Sequence, residues 1–267
     1  MTLVVKIGGG KQVNIPLVCQ DVRDLVSGGH QIILVHGGSE TANEISQKLG
    51  KPPRFVTSVS GYESRYTDRE TLGILEMVYA GKINKEIVEC LQGLGINAIG
   101  LTGLDGRIWV GRRKSAIKII ENGKTKVLRD DYTGVVEQVN TELLKMLLQT
   151  GYTPVLTLPA LSHEGEAMNV DCDRAAAVVA AAMKAEKLII LSNVPGLLRN
   201  PEDESSLIRV IKNEMDEAME LAKGRMKKKV LGAMEALQNG VGQVIFGDAR
   251  IENPIRKALE GMGTVIG

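Results

Sequence analysis

The stretch Leu3-Val4-Val5-Lys6-Ile7-Gly8-Gly9-Gly10 limits the possible folds of this chain more than any other. An apolar run of this kind, closed by glycines, reads as a strand buried on both faces, as in a parallel sheet covered by helices. Its lysine is the anomaly. An ammonium group at the carboxyl end of a buried strand is costly unless an anion lies beside it, and glycines just after it let a phosphate approach the backbone. Taken alone, the stretch also allows Lys6 to reach solvent while the glycines form a plain turn. The remaining sequence has to decide between these readings.

The arrangement recurs. Pro16 to Ser27 carries Leu17, Val18, Val22, Leu25 and Val26 at helical spacing, and Gly28-Gly29 ends that helix. Gln31-Ile32-Ile33-Leu34-Val35 then runs into His36-Gly37-Gly38-Ser39, again an apolar strand, a polar residue and glycines before a helix. Two such units predict β-loop-helix repeats in a parallel sheet, with both glycine loops facing one crevice beyond the strand ends. His36 has no carboxylate or cysteine partner at motif spacing and reads as a residue flanking the turn rather than a catalytic base.

Composition narrows the class. A chain of 267 residues can bury a substantial core, and only 3% aromatic residues argues against a stacking surface for single-stranded nucleic acid. Cys19, Cys90 and Cys172 are scattered, without metal-ligand spacing, so three free thiols in a reducing cytoplasm are expected. No apolar run approaches a membrane span, and the first strand begins at once, which predicts a soluble protein without a signal peptide.

Pro52-Pro53 opens a loop ending at Ser64-Arg65-Tyr66-Thr67-Asp68, where Thr67 and Glu70 have capping-box spacing. A helix follows through Leu72, Leu75, Val78 and Tyr79, is weakened at Gly81, and resumes through Ile83, Ile87, Val88 and Leu91. Arg65, just before it, is either a solvated cation or a fork for a carboxylate. After a short strand at Asn97 to Leu101, the alternating runs Ile108-Trp109-Val110 and Ile117-Lys118-Ile119-Ile120 lead to Asn122-Gly123, a strong turn signal, so Arg107 to Arg129 is expected to form one antiparallel hairpin insert. Its eight basic residues face a single acid, Glu121. That gives seven net positive charges, and since the whole chain carries +1, the remainder stands at −6.

A short helix from Glu142 to Gln149 precedes the strand Tyr152 to Thr157. Asn169-Val170-Asp171-Cys172-Asp173 then opens a helix of small residues, which Asp171 or Asp173 caps. One asparagine and two aspartates are more polar groups than a cap requires, and the excess suggests a site. The buried strand Lys187 to Asn193 follows, then a long helix from about Met215 to Gln238 containing Lys227, Lys228 and Lys229, and closing strands at Val244 to Phe246 and Thr264 to Ile266. No GxxxxGK[ST] loop, GxGxxG fingerprint or protein-kinase motif occurs. Lysines near both ends, two glycine loops and an Asn-x-Asp-x-Asp cluster nevertheless suit a triphosphate and an acidic acceptor, because phosphoryl transfer needs mainly positioning and charge stabilisation.

The motifs Lys6-Ile7-Gly8-Gly9, His36-Gly37-Gly38, Ser64 to Asp68, Asn84-Lys85, Asn169 to Asp173, Ser192 to Leu197 and Gly224 to Lys229 occur in the order of the amino acid kinase family. Together they resemble its acetylglutamate kinase branch. Ser39 and Asn193 depart from the glycine and aspartate common there. The first departure, with Gly103 to Arg107 and Gly111 to Lys114, is similar to the LysZ subgroup, which phosphorylates α-aminoadipate, and in some members glutamate, attached to the acidic carrier protein LysW. The resemblance implies a three-layer αβα sandwich with a mainly parallel sheet plus the hairpin insert. It makes residues 1–267 one kinase domain, with an acceptor lobe over about 1–170 and a nucleotide lobe over about 171–267. It also implies a cytoplasmic homodimer, often assembled through the helix from about Thr67 to Leu91, with no membrane or nucleic-acid partner.

By the same resemblance, Lys6 and Lys229 neutralise the transferring phosphoryl group and Asp173 orients them. Gly37, Gly38, Arg65 and Asn169 hold the acceptor. ATP lies against Gly8, Gly9, Ser192, Asn193, Gly196, Leu197 and Met226, and Mg2+ arrives with it rather than in a protein metal site. The +7 segment, through Arg107, Arg112, Arg113, Lys114 and Lys118, is expected to dock the carrier. An ordinary acetylglutamate kinase gives no reason for that charge. A non-catalytic nucleic-acid or regulatory module would bring stacking aromatics, and the segment has only Trp109.

Overall fold

The computed structural model describes residues 1–121, 123–212, 215–222 and 224–267. An eight-stranded sheet runs through the molecule in the order Val210–Ile211, Thr264–Ile266, Gln243–Asp248, Lys187–Ser192, Thr2–Ile7, Gln31–His36, Thr153–Thr157, Ala98–Thr102. It is parallel except where Thr264–Ile266 runs against Gln243–Asp248. The opening strand is therefore central, with Lys6 opposite Ile190 on one side and Val35 on the other.

Both faces of this strand are apolar, and each feeds a separate core. Val4 packs with Ile33 and Val35 under the helices Cys172–Ala182, Arg225–Gln238 and Thr141–Gln149. Leu3, Val5 and Ile7 pack with Ile32 and Leu34 over the helices Ile15–Ser27, Asn84–Gly93 and Pro254–Leu259. The two-residue period of a strand makes each layer a different set of side chains, which is why the run needed to be apolar throughout. This is the three-layer αβα sandwich, with additional strands.

Two small sheets carry those extra strands: the antiparallel hairpin expected around Gly123 is present, but the run Trp109–Arg113 is not part of it. Trp109–Arg113 pairs with Gly134–Val139 and Ala160–Ser162, the last also holding Ala167–Met168. Ile117–Glu121 instead pairs with Lys124–Leu128 and with Phe55–Ser58, which continues to Glu63–Arg65. The +7 segment is thus divided between two sheets, because its short alternating runs record a pleat without recording a partner. Of the expected turn, Gly123 has φ +73°, while Asn122 lies outside the described residues. The loop expected from Pro52 likewise contains two strands, of four and three residues.

Helix starts differ in instructive ways. Asp68, not Thr67, caps Arg69–Glu76 by accepting the Thr71 N–H at 2.8 Å, and Glu70 pairs with Lys51. The weak point at Gly81 is a π-helical segment, Met77–Ile83, between Arg69–Glu76 and Asn84–Gly93. The long C-terminal helix is two helices, Met215–Leu221 and Arg225–Gln238, parted at Gly224 with φ +52°, a conformation that glycine tolerates. Among the described residues no helix is long and apolar enough to cross a membrane.

Candidate active site

The ends of the central strands open on a cavity of about 620 Å³. Its two glycine loops touch one another: a Cβ on Gly9 would collide with the backbone nitrogen of Gly38, and one on Gly38 would collide with Ile83 Cδ1. The N–H groups of Gly8 and Gly37 bond the carbonyls of Leu191 and Ile7 at 2.9 Å each, fixing the path of both loops. Gly8, Gly9, Gly37 and Gly38 all line the cavity, so the crevice expected from the repeated strand-glycine pattern exists.

Lys6 enters it from the central strand, 5% exposed, with Nζ 2.6 Å from Asp173 Oδ1. Lys229 Nζ approaches the same carboxylate, 3.2 Å from Oδ1 and 3.1 Å from Oδ2. Asp173 is free for this because Asp171 is the helix cap, its Oδ1 accepting the N–H groups of Asp173 and Arg174. Helix packing supplies the second lysine. The helix Arg225–Gln238 lies on the first turn of Cys172–Ala182 with Gly232 facing it, where a Cβ would stand in ordinary contact 3.4 Å from the Asp173 carbonyl carbon. Lys229, three residues earlier on the same helical face, is thereby brought to Asp173.

Two ammonium groups share one carboxylate, leaving one positive charge in a buried place. Burial works against the ionised Asp173, but Lys229 and Lys6 outweigh it and hold the carboxyl well below the usual range. Burial also pulls the Lys6 ammonium down, and Asp173 more than reverses this, so Lys6 ends above its ordinary value. For Lys229 burial prevails, helped by repulsion from Lys6, and its pKa is lowered. Such a site is relieved by an incoming anion. Burial pushes the neighbouring Cys172 thiol up to about 12, so it stays protonated beside this cluster.

Arg65 and Asn169, the residues expected to hold the acceptor, both line the cavity. The Arg65 guanidinium lies over the Phe55 ring at 5.2 Å and donates to Asn43 Oδ1, while Asn169 Nδ2 donates to Thr67 Oγ1 at 3.0 Å. Ser192, Asn193 and Met226 also line the cavity. Gly196 and Leu197 lie away from its lining: Leu197 is buried and its N–H donates to Thr264 Oγ1 at 2.8 Å, and a Cβ on Gly196 would meet the same hydroxyl.

The basic residues divide in the same way. Lys114 lines the cavity while still exposed, its pKa lowered by partial desolvation and then by the charges of Arg174 and Lys228, against the opposing charge of Asp131. Arg113 stacks on the Tyr132 ring at 4.0 Å and pairs with Glu166. Arg107, Arg112 and Lys118 are exposed. Phe55, Tyr62, Glu63 and Arg174 line the cavity without having been singled out as cavity residues from the sequence; the first three sit on or beside strands too short to leave a periodic signal. His36 is buried, with Nδ1 2.8 Å from the Gly37 carbonyl and Nε2 3.1 Å from Asn84 Nδ2. Burial, and less strongly the Lys6 and Lys85 charges, lower its pKa to about 4, so it is neutral at pH 7.

The model of the amino acid kinase family matches residues 1–248, a span that includes both lysines and Asp173. The chain belongs to the amino acid kinase family. Within it, the chain is 58% identical over 265 residues to a [LysW]-aminoadipate kinase of Deinococcus radiodurans, covering 99% of this chain and 91% of that protein. It is 56% identical to the [LysW]-aminoadipate kinase of Thermus thermophilus, covering 99% of each. Among solved structures, N-acetylglutamate synthase from Neisseria gonorrhoeae with coenzyme A and N-acetyl-glutamate superposes with a TM-score of 0.79 at 24% identity. That match takes in the whole of this chain and 59% of the other, and it bears on the fold alone. This amino acid kinase is therefore a phosphotransferase, and Lys6 of its central strand meets Asp173 and Lys229 of two helices in the cavity.

Proposed function

We propose that this kinase transfers the γ-phosphoryl group of ATP to the side-chain carboxylate of α-aminoadipate, and of glutamate, held through its amino group on the carrier protein LysW. A carboxylate oxygen attacks the γ-phosphorus, the bond to the β-phosphate oxygen breaks, and an acyl phosphate and ADP are formed. The observation that carries this reading is the buried pair of lysines on one carboxylate, beside two glycine loops. Lys6 and Lys229 stabilise charge that shifts towards the bridging and leaving oxygens during transfer, and Asp173 holds both at fixed distance.

The cavity volume lies within the range for small-molecule sites. Arg65, Asn169, Gly37 and Gly38 bind the acceptor. Gly8, Gly9, Ser192, Asn193 and Met226 receive the nucleotide, near the positive start of the helix Arg225–Gln238. In this reading residues 1–170 form the acceptor lobe and 171–267 the nucleotide lobe, with the Lys6–Asp173 pair joining them. Among the described residues no three His, Cys, Asp or Glu side chains are placed to hold a metal ion; magnesium that accompanies a triphosphate keeps several waters and is bound largely through the phosphates. The exposed Arg107, Arg112 and Lys118 serve the acidic carrier, and Met77 on the π-helical segment is available to a second copy of the chain.

Hydroxylamine trapping tests the assignment. A hydroxamate should form with ATP and carrier-linked aminoadipate or glutamate. Equal turnover of free N-acetylglutamate would replace the carrier-linked acceptor with the free one, and no hydroxamate with any of these carboxylates would remove the kinase reading.

A further inference from the structure

Asp131 is 1% exposed and does not line the cavity; among the described residues no ion pair to its carboxylate is made, though its charge acts on Lys114 and its backbone carbonyl accepts from Arg113 Nε at 3.2 Å. Instead the carboxylate accepts from three donors. Oδ2 takes the Thr67 N–H at 3.0 Å, while Oδ1 takes the Thr133 N–H at 2.8 Å and the Thr133 hydroxyl. A buried carboxylate is expensive, and here its acceptors are spent on Thr133 in its own turn and on Thr67, 64 residues away in sequence. Both segments lead to the acceptor side.

Thr67 is fully buried, and its hydroxyl donates to the Arg65 carbonyl at 3.1 Å while accepting from Asn169 Nδ2 at 3.0 Å. The Tyr132 N–H donates to the Thr67 carbonyl at 2.7 Å, and the Asn169 N–H donates to the Tyr132 carbonyl at 2.8 Å. Gly134 N–H closes the circuit on the Asn169 carbonyl at 2.9 Å. Arg65, Thr67, residues 131–134 and Asn169 thus form one hydrogen-bonded unit, with the Asp131 carboxylate inside it. Lys6, Asp173 and Lys229 are held by a different set of bonds.

We propose that Asp131 is a positioning residue for the acceptor: acting through Thr67, it fixes Arg65 and Asn169 in the orientation that binds the substrate carboxylates, and it leaves the nucleotide side untouched. The inference rests on the reading that Arg65 and Asn169 hold the acceptor. A neutral side chain of the same shape suffices to break the arrangement. In Asp131→Asn the amide nitrogen cannot accept, so either the Thr67 N–H or the Thr133 donors lose their partner.

Steady-state kinetics with carrier-linked aminoadipate should show the acceptor KM of Asp131→Asn raised about tenfold, the order expected for one or two lost hydrogen bonds to a charged group, with the KM for ATP within about twofold. Thr67→Val keeps the N–H bonded to Asp131 but removes the hydroxyl link to Asn169, and should reproduce the acceptor effect without disturbing the buried carboxylate. The double variant should be no worse than about the poorer single one, because both substitutions cut one path. If Asp131→Asn is too unstable to assay, Thr67→Val alone carries the test. An unchanged acceptor KM in Thr67→Val, equal rises in both KM values, or fully additive effects would overturn the proposal and leave Asp131 a structural group. Arg65→Ala and Asn169→Ala serve as controls: if neither raises the acceptor KM, the acceptor reading itself has failed.

Discussion

Lys6 and Lys229 share one buried carboxylate, whereas Arg107, Arg112 and Lys118 stand exposed and are divided between two small sheets or their flanks. Both groups are clusters of basic residues, but their surroundings set what their charges can do. In the buried cluster little water intervenes, so position is fixed and each charge acts strongly on its neighbours. On the surface the same charge is screened within about 8 Å at physiological salt, and it acts on encounter more than on geometry. A charge count over the sequence weights the second group more heavily; the structure reverses that weighting.

The largest difference should appear on removing one buried cation. Lys6→Ala or Lys229→Ala should lower kcat about 100- to 1000-fold, roughly 3–4 kcal/mol of lost transition-state stabilisation, with a much smaller change in the KM for ATP. Single-turnover measurement of acyl phosphate checks it, and near-normal turnover in either variant would place the chemistry elsewhere.

A buried group of the other kind gives the next effect. His36 has a folded-state pKa of about 4 against an ordinary 6.5, so between those values the unfolded chain binds more protons than the folded one. Its contribution to stability is complete above pH 6.5 and is lost as the pH falls towards about 4. At full extent this is on the order of 3 kcal/mol. Urea titrations across that window should show the loss in the natural chain and a shallower dependence in His36→Asn. Parallel pH dependences in the two proteins would mean that His36 is not the group responsible.

Smaller again is the surface term. Lys118→Glu combined with Lys124→Glu should raise the KM for the carrier-linked acceptor about five- to tenfold and reduce its salt dependence, leaving the KM for ATP within about twofold. Arg107→Glu with Arg112→Glu tests the other sheet in the same way. A response confined to the second pair would move carrier docking to the sheet of Trp109–Arg113, and no response in either would make these cations a solvated face. Smallest of all, Lys126→Ala removes an exposed contact to Glu121 at 3.0 Å and should change stability by no more than about 0.5 kcal/mol in thermal or chemical unfolding.

The sequence by itself determined the layered α/β fold and the central place of the first strand, because an unbroken apolar run can be satisfied only between two covered faces. It also determined the glycine crevice, since two strands ended in the same way and a parallel sheet puts those ends on one edge. Lys6 and the Asn-x-Asp-x-Asp cluster were legible as polar groups too costly to bury without a purpose. Tertiary structure alone decided which aspartate caps and which pairs with the lysines, because both stand at helix-start positions and only the packing of the helix Arg225–Gln238 on that first turn brings Lys229 to Asp173. It alone divided the basic segment between two sheets, since strands of five residues specify their pleat but not their neighbours. It alone joined Asp131 to Thr67 and Thr133 in one buried network: no local pattern records a bond that spans 64 residues.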